Sequence, residues 1–218
     1  DKAFAVNRDG VSRLASWCSC KGAGFLSIST DYVFDGRLDK PLTEDDPVNP
    51  LSVYGKSKLA GEQEMQKLCD QYIIVRTQSL FGKNGPNFVK AIMSQIKNGK
   101  KQIDVVRDQI SCPTYTKHLS LAILRLLKKA RTGIVHVSSS GSCSWFEFAE
   151  AIAAKTGSGA EVRPVEAQAY GRPAERPARS VLDKGRYEAW TGEKMPRWEE
   201  GLDAYLSEIG ELVIGREG

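Results

Sequence analysis

"GFLSIST", Gly24–Thr30, is the stretch that decides the fold. It is a short apolar run with the composition of a buried strand. It follows a segment in which apolar residues recur at helical spacing from Val11 to Cys18, and Gly22 ends that segment as a helix C-terminus does. The order is therefore helix and then strand.

The same order returns along the 218-residue chain. Further helices are predicted at about 52–69, 87–97 and 117–130, and the apolar runs at 72–77, 102–108 and 133–138 are predicted strands. Ser144 as N-cap with Glu147 at the third helical position predicts another helix that runs to Thr156. Strands that alternate with helices favour parallel pairing through right-handed crossovers, so we expect an α/β doubly wound sheet.

The composition changes at Gly157–Pro177, "GSGAEVRPVEAQAYGRPAERP", which is rich in Gly, Pro and Arg and is interpreted as a loop. Short helices are predicted after it, near 183–190 and 197–209. We expect residues 1–140 to form mainly a Rossmann-like dinucleotide-binding domain, N-terminally incomplete. Residues 141–218 would mainly form a smaller, irregular C-terminal substrate-binding lobe, and the two would interleave.

Charge and cysteine content exclude several classes of function. The net charge of +4 is spread along the chain without a Lys/Arg block, so we expect no nucleic-acid partner. Five cysteines without paired CxxC spacing and two distant histidines favour reduced thiols in a cytoplasmic protein and no structural metal. No apolar run approaches the roughly 20 residues that span a bilayer. Because the helical pattern is already under way at Asp1, we expect a segment to precede it.

"SVYGKSKLAGE", Ser52–Glu62, places Tyr54 four residues before Lys58, on one face of a predicted helix. An ammonium about 4 Å from a phenol, at an effective dielectric near 20, is worth roughly 4 kcal/mol at most. At about 1.36 kcal/mol per pKa unit, it would draw the pKa of Tyr54 from roughly 10 toward neutrality. Such a phenol can exchange a proton with a carbonyl oxygen. The alternative interpretation is an exposed Tyr and Lys on a surface helix.

Polar residues stand where the first predicted strand ends, at Ser29, Thr30 and Asp31. Ligands of open parallel sheets bind beyond the carboxyl ends of the strands, so these side chains are expected to point into a crevice. Thr30 would then hydrogen-bond the same oxygen as Tyr54. The alternative is that Ser29 and Thr30 only cap the strand end.

Several separate motifs together resemble one family. The stretches "STDYVFDG", "PLTEDDPVNPLSVYGKSKLAGE" and "RTQSLFG" are similar to the extended short-chain dehydrogenase/reductase superfamily. Within it, "NFVKAI", "VVRDQISCPTYT" and "RPARSVLD" resemble the dTDP-4-dehydrorhamnose reductase family in order and spacing. The likeness runs from about Asn7 to the helix near Leu206.

The resemblance implies NADPH-dependent reduction, with NADH as the alternative donor, of the C4 ketone of dTDP-4-dehydro-L-rhamnose to dTDP-L-rhamnose. Thr30 and Tyr54 would bind the C4 carbonyl, Tyr54 would give the proton, and Lys58 would hold the nicotinamide ribose and lower the phenol's pKa. The implied cofactor contacts are Ser29, Tyr54, Lys58, Thr77 and Gln78. The implied substrate contacts are Asp31, Val33, Phe34, Asn87, Phe88, Asp108, Gln109, Pro113, Thr114, Arg176 and Arg179. Phe88 could instead be core, and the two arginines solvated loop charges. A nucleotide-sugar partner is implied, a homodimer is compatible, and magnesium is not indicated.

The sequence also departs from the family pattern. No G-x-G-x-x-G phosphate loop is present, and the resemblance places that loop upstream of the region where Asp1 falls. A molecule that really started at Asp1 would be expected to bind cofactor poorly. Gln78 and Ser79 stand where the family has Ser-Trp, which removes an apolar wall near the sugar, and Ser111 stands where Gly is expected. Two other functions stay open. One is an NAD-dependent sugar-nucleotide epimerase or dehydratase with Asp31 as the acidic partner. The other is a non-catalytic regulatory subunit resembling the methionine adenosyltransferase β subunit.

Overall fold

Helices and strands alternate through most of the computed structural model, which describes residues 2–170 and 176–213. The helices are α1 Lys2–Phe4, α2 Val11–Cys20, α3 Val53–Leu68, α4 Phe88–Lys97, α5 Thr116–Leu127, α6 Trp145–Lys155, α7 Gly185–Thr191 and α8 Trp198–Glu208, with a π-helical segment, Ala5–Gly10, between α1 and α2. The strands are β1 Phe25–Thr30, β2 Tyr72–Thr77, β3 Leu80–Phe81, β4 Gln102–Val106, β5 Ile110–Ser111, β6 Thr114–Tyr115, β7 Gly133–His136, β8 Cys143–Ser144 and β9 Glu161–Val165. Two 3-10 turns occupy Asp31–Val33 and Ala167–Tyr170.

The central sheet has the order β1-β2-β7, and both pairings are parallel. Successive side chains of a strand face opposite sides of the sheet. Accordingly, Ile74 packs against α2 and α3 on one face, whereas Ile73 and Val75 pack against α5 and α7 on the other. Helices on both faces of a parallel sheet confirm the predicted doubly wound α/β fold.

Two expectations about the sheet are wrong. β4 does not join the central sheet but pairs in parallel with β9, and β9 lies inside the stretch that the composition assigned to a loop. β9 is mostly exposed and contains Pro164, so its own sequence carries little strand signal. Pairing with β4 and the 2.8 Å ion pair between Arg163 and Asp104 stabilise it instead.

A second hydrophobic core lies outside the central sheet. It is built around Phe81, Tyr115, Phe148 and Tyr205, whose ring centroids lie between 5.5 and 5.9 Å apart in the contacting pairs. These residues come from both halves of the chain, so the elements of the two halves interlock. A division between residues 140 and 141 stays a prediction. Among the residues described, no helix is long and apolar enough to cross a membrane.

Candidate active site

The end of β1 and the start of α3 are held in direct contact by a glycine. A Cβ added at Gly55 would lie 2.2 Å from the Tyr32 carbonyl oxygen, so a larger residue could not sit there without a shift. Ser52 caps α3 by accepting a hydrogen bond from the Gly55 amide at 3.1 Å. Tyr54 therefore lies beside the end of β1. The centroids of the Tyr54 and Tyr32 rings are 6.1 Å apart, in an edge-to-face contact.

An open cleft of about 430 Å³ lies at the carboxyl ends of β1 and β2. The three predicted catalytic residues share it, as do all the predicted cofactor residues. Its lining is Ile28, Ser29, Thr30, Asp31, Tyr32, Tyr54, Lys58, Thr77, Gln78, Ser79, Leu80, Trp145 and Arg176. The fold thus brings residues that lie more than a hundred positions apart in the sequence to one cleft.

The environment of Tyr54 differs from the expectation. The ring is 47% exposed in the cleft, yet burial raises the pKa of the phenol; a hydrogen bond with Thr30 opposes this rise and the Asp31 carboxylate adds to it. The predicted fall of this pKa toward neutrality under Lys58 is wrong. The Lys58 ammonium donates instead to the Ile28 carbonyl. Tyr54 is therefore held protonated near neutral pH, which is the form that can donate a proton.

Lys58 itself lies in a partly dehydrated position. Burial lowers the pKa of its ammonium, and the Glu62 carboxylate, one helical turn further along α3, opposes this. The side chain lines the cleft beside Ser29 and Thr30. An ammonium in this position is suited to donate hydrogen bonds to hydroxyl groups of a ligand in the cleft.

Asp31 is the buried carboxyl of the cleft, with 3% of its surface exposed. Thr30 Oγ1 donates to Asp31 Oδ1 at 3.1 Å, and the Tyr32 amide donates to Thr30 Oγ1 at 3.2 Å. Burial raises the pKa of Asp31 to about 6, against the opposing hydrogen bonds from Ser180 and Thr30. This carboxyl therefore titrates close to the physiological range.

A buried ion pair between Arg76 and Glu62 contacts Ser29, one of the residues that line the cleft. Arg76 Nη2 lies 2.7 Å from Glu62 Oε2, Arg76 Nε lies 3.0 Å from Glu62 Oε1, and the side chains are 3% and 2% exposed. The Ser29 hydroxyl donates to the same carboxylate, and the Arg76 guanidinium lies 5.2 Å from the centroid of the Phe34 ring. Sequence reasoning missed this pair. Its signal was an arginine inside the apolar run "YIIVRT", since a buried charge requires a partner.

Two side chains at the end of β2 present buried polar atoms without a partner among the described residues. These atoms are Thr77 Oγ1 and Gln78 Nε2. The other amide atom of Gln78, Oε1, lies 3.2 Å from Ser180 Oγ. Both residues line the cleft, so a polar ligand there would satisfy them. This fits the predicted role of Thr77 and Gln78 in binding a nicotinamide cofactor.

A second cavity of about 260 Å³ adjoins the cleft, and Trp145 and Arg176 line both. Phe88 lines this second cavity and packs on Trp145 with ring centroids 4.6 Å apart. Trp145 was missed as a site residue. It lines the same cleft as Ser79, and no motif in the sequence pointed to it. The capping box that was predicted at Ser144, with Glu147, is confirmed.

Other predicted substrate residues lie outside both cavities. Val33 and Phe34 are 0% and 1% exposed and pack in a core cluster. Asn87 caps α4, accepting from the Lys90 amide at 3.1 Å. A substrate role for these three stays a prediction.

The remaining predicted residues lie between the end of β4 and the start of β6, and in the loop before α7. Asp108 is exposed and accepts from the Ala167 amide at 2.9 Å, and Gln109 is half-buried. Pro113 is buried, as is Thr114, whose hydroxyl donates to the Cys112 carbonyl at 2.9 Å. Arg179 Nε lies 3.8 Å from Asp39 Oδ1. None of these five predicted residues lines the cleft, so their roles also stay predictions.

Metal ligands are not gathered anywhere in the described ranges. Residues 2–170 and 176–213 contain no group of three or more His, Cys, Asp or Glu side chains placed to hold a metal ion. The five cysteines are free thiols, four of them buried.

Comparisons with known proteins agree with one another. The sequence matches the RmlD substrate binding domain over residues 1–210. It is 40% identical over 208 residues to the spore coat polysaccharide biosynthesis protein SpsK of Bacillus subtilis, covering 95% of this chain and 72% of that protein. It is 37% identical over 210 residues to a dTDP-4-dehydrorhamnose reductase of Sinorhizobium fredii, covering 91% of this chain and 71% of that enzyme.

Among solved structures, a dTDP-4-dehydrorhamnose reductase from Bacillus anthracis, in complex with NADP, superposes with a TM-score of 0.90. Its sequence is 40% identical, and the match covers 93% of this chain and 72% of that one. The resemblance drawn from the motifs is thereby confirmed. The chain belongs to the RmlD substrate-binding domain family, with dTDP-4-dehydrorhamnose reductases as its relatives, and is an oxidoreductase of the short-chain dehydrogenase/reductase type.

Proposed function

We propose that the protein reduces the C4 ketone of dTDP-4-dehydro-L-rhamnose to the alcohol of dTDP-L-rhamnose, with NADPH as the electron donor. The observation that carries this proposal is the convergence of Thr30, Tyr54 and Lys58 on one cleft at the carboxyl end of the parallel sheet. A binding role alone would not require a phenol and a hydroxyl that contact each other beside an ammonium.

The residues of the cleft would bind the ketone oxygen and supply the proton that it receives. The ketone oxygen would accept hydrogen bonds from Thr30 and Tyr54, which polarise the carbonyl and place it in line for proton transfer. Because the pKa of Tyr54 is raised, the phenol carries its proton near neutral pH and gives it to the oxygen as charge develops there. When bound, the nicotinamide supplies the hydride that reaches C4.

Other residues fit the two ligands. Lys58 would bind ribose hydroxyls, and the unpartnered atoms of Thr77 and Gln78 would bind polar groups of the nicotinamide. The adjoining cavity, with Phe88 and Trp145, offers an aromatic surface of the kind on which nucleobases stack. Arg176 lines both cavities and would contact the diphosphate between sugar and nucleoside.

The test is Tyr54→Phe, which removes only the phenolic hydroxyl. Turnover of dTDP-4-dehydrorhamnose, followed by the loss of NADPH absorbance, should fall by about 10²- to 10⁴-fold, the range of general acid catalysis. Binding of the nucleotide sugar, measured by calorimetry, should be retained. Tyr72→Phe is the matched control. Tyr72 packs against the hydrophobic cluster between β2 and the helices α2 and α3, and it does not line the cleft. Undiminished turnover in Tyr54→Phe would refute the proposal.

Analysis of the products distinguishes the reductase from the alternative functions. An epimerase or dehydratase regenerates its bound NAD and consumes no NADPH, and a regulatory subunit forms no product at all. Stoichiometric conversion of NADPH to NADP with one C4 alcohol formed supports the reductase. The same assay with NADH in place of NADPH measures the donor preference.

A further inference from the structure

Two serine hydroxyls meet at the wall of the cleft. Ser79 lies just after the end of β2 and lines the cleft, and Ser111 is the last residue of β5. Their Oγ atoms lie 2.8 Å apart, which is hydrogen-bond distance. Both residues stand at positions where the sequence departs from the family pattern, so the fold joins two separate departures in one contact.

The backbone at Ser79 adopts a conformation that serine rarely takes. Its φ is +49°, and within residues 2–170 and 176–213 every other residue with a positive φ is a glycine. This left-handed region is unfavourable for a residue that carries a Cβ. The Ser79 carbonyl accepts a hydrogen bond from the Thr114 amide at 3.1 Å, which holds the turn in place. A strained residue in the wall of a ligand cleft indicates a role for its side chain.

The contact between the two hydroxyls leaves one proton available to a ligand. A hydroxyl has a single proton and two acceptor lone pairs, and neither hydroxyl has another hydrogen-bond partner among the described residues. If Ser79 donated to Ser111, the Ser111 proton would lack an acceptor at a residue that is 6% exposed. If Ser111 donates, its proton is satisfied and the Ser79 proton can point into the cleft. A ligand that offers an acceptor there favours the second arrangement.

We propose that the hydroxyl pair of Ser79 and Ser111 binds a ring hydroxyl of the hexose and thereby determines the selectivity of the cleft for this sugar. This inference rests on the proposed function, which places the C4 ketone at Thr30 and Tyr54 and the diphosphate on C1 at Arg176. Those three residues line the same cleft as Ser79. The hexose therefore passes the Ser79 hydroxyl, and its C2 and C3 hydroxyls lie between the ketone and the diphosphate.

The chemistry of the pair matches a neutral sugar hydroxyl. Neither serine carries a charge, whereas a diphosphate is bound most strongly by a cation, which Arg176 supplies in the same cleft. Ser79 would contact the sugar directly. Ser111 does not line the cleft and would be a positioning residue, because it fixes the direction of the Ser79 proton.

Titration calorimetry with dTDP-L-rhamnose and with dTDP tests the contact without turnover. Ser79→Gly should weaken binding of dTDP-L-rhamnose about 3- to 10-fold, the net worth of one neutral hydrogen bond, and leave dTDP binding unchanged. Ser111→Ala should cause a smaller loss, also confined to dTDP-L-rhamnose, and no further loss when combined with Ser79→Gly. Ser120→Ala is the matched control, because that hydroxyl donates to the Thr116 carbonyl on α5.

Three results of this series would overturn the proposal. They are an unchanged affinity for dTDP-L-rhamnose in either single variant, an equal loss for dTDP, and a loss from Ser111→Ala that persists beside Ser79→Gly. Thermal unfolding separates binding from a structural role. Since a φ of +49° suits glycine, the double variant should unfold at a temperature no lower than that of the unmodified protein. A lower unfolding temperature together with weaker dTDP binding assigns the pair to the fold alone and also overturns the proposal.

Analogues of dTDP-L-rhamnose without the C2 or the C3 hydroxyl identify the group that is bound. One of them should bind the unmodified protein about 3- to 10-fold more weakly than dTDP-L-rhamnose does, and Ser79→Gly should no longer distinguish the two. Equal discrimination by the unmodified protein and by Ser79→Gly overturns the proposal. If the unmodified protein binds dTDP-L-rhamnose but does not oxidise NADPH with the 4-ketone, the proposed function fails instead.

Discussion

Glu62→Gln probes the buried ion pair beneath the cleft. The substitution keeps the size and shape of the side chain and removes its charge, leaving the Arg76 guanidinium with 3% exposure and no carboxylate opposite it. It also weakens two arginine hydrogen bonds, at 2.7 and 3.0 Å, and the hydrogen bond from Ser29. Breaking a buried pair by neutralising one partner costs about 3–5 kcal/mol, chiefly because an uncompensated charge remains in a low-dielectric interior.

Urea denaturation followed by circular dichroism measures this loss of unfolding free energy. Glu64→Gln is the matched control on the same helix, because Glu64 forms a surface pair with Lys67 at 3.1 Å. Such a pair contributes at most about 1 kcal/mol. Glu62→Leu combined with Arg76→Met should recover most of the stability lost in Glu62→Gln, since the unpaired charge is then gone. A cost for Glu62→Gln no larger than that for Glu64→Gln would refute the reasoning.

Three further outcomes follow from the geometry of the cleft. Gly55→Ala should cost about 1–3 kcal/mol and reduce turnover, because its Cβ would meet the Tyr32 carbonyl at 2.2 Å and push α3 from the strand end; thermal unfolding and kcat measure both. Trp145→Ala should raise KM for the nucleotide sugar more than it lowers kcat, because it removes a shared wall of both cavities; steady-state kinetics that show only a kcat effect would contradict this. Asp31 has a folded-state pKa raised from 3.8 to about 6, so its stabilising contribution of about 3 kcal/mol is fully present below pH 3.8 and lost as pH rises through 6; Asp31→Asn should flatten the unfolding free energy over this range.

Local patterns were sufficient for most of the helices, for the strands of the central sheet and for part of the site. The runs "GFLSIST" and "YIIVRT" became β1 and β2, since a short apolar stretch bounded by turn residues has few other stable conformations. The spacing of Tyr54 and Lys58 and the rule that ligands bind at the carboxyl ends of parallel strands together located the cleft.

The sequence by itself determined what depends on near neighbours: helical periodicity, the cap at Ser144, the glycine and proline breaks, and the residue types that can move a proton. Only the tertiary structure decided what depends on groups distant along the chain. β9 exists because β4 pairs with it, and Trp145 reaches the cleft because α6 begins there. The pKa of Tyr54 rises because burial and Asp31 outweigh the hydrogen bond from Thr30. Burial and charge act through space, and the spacing of residues in the chain does not record those distances.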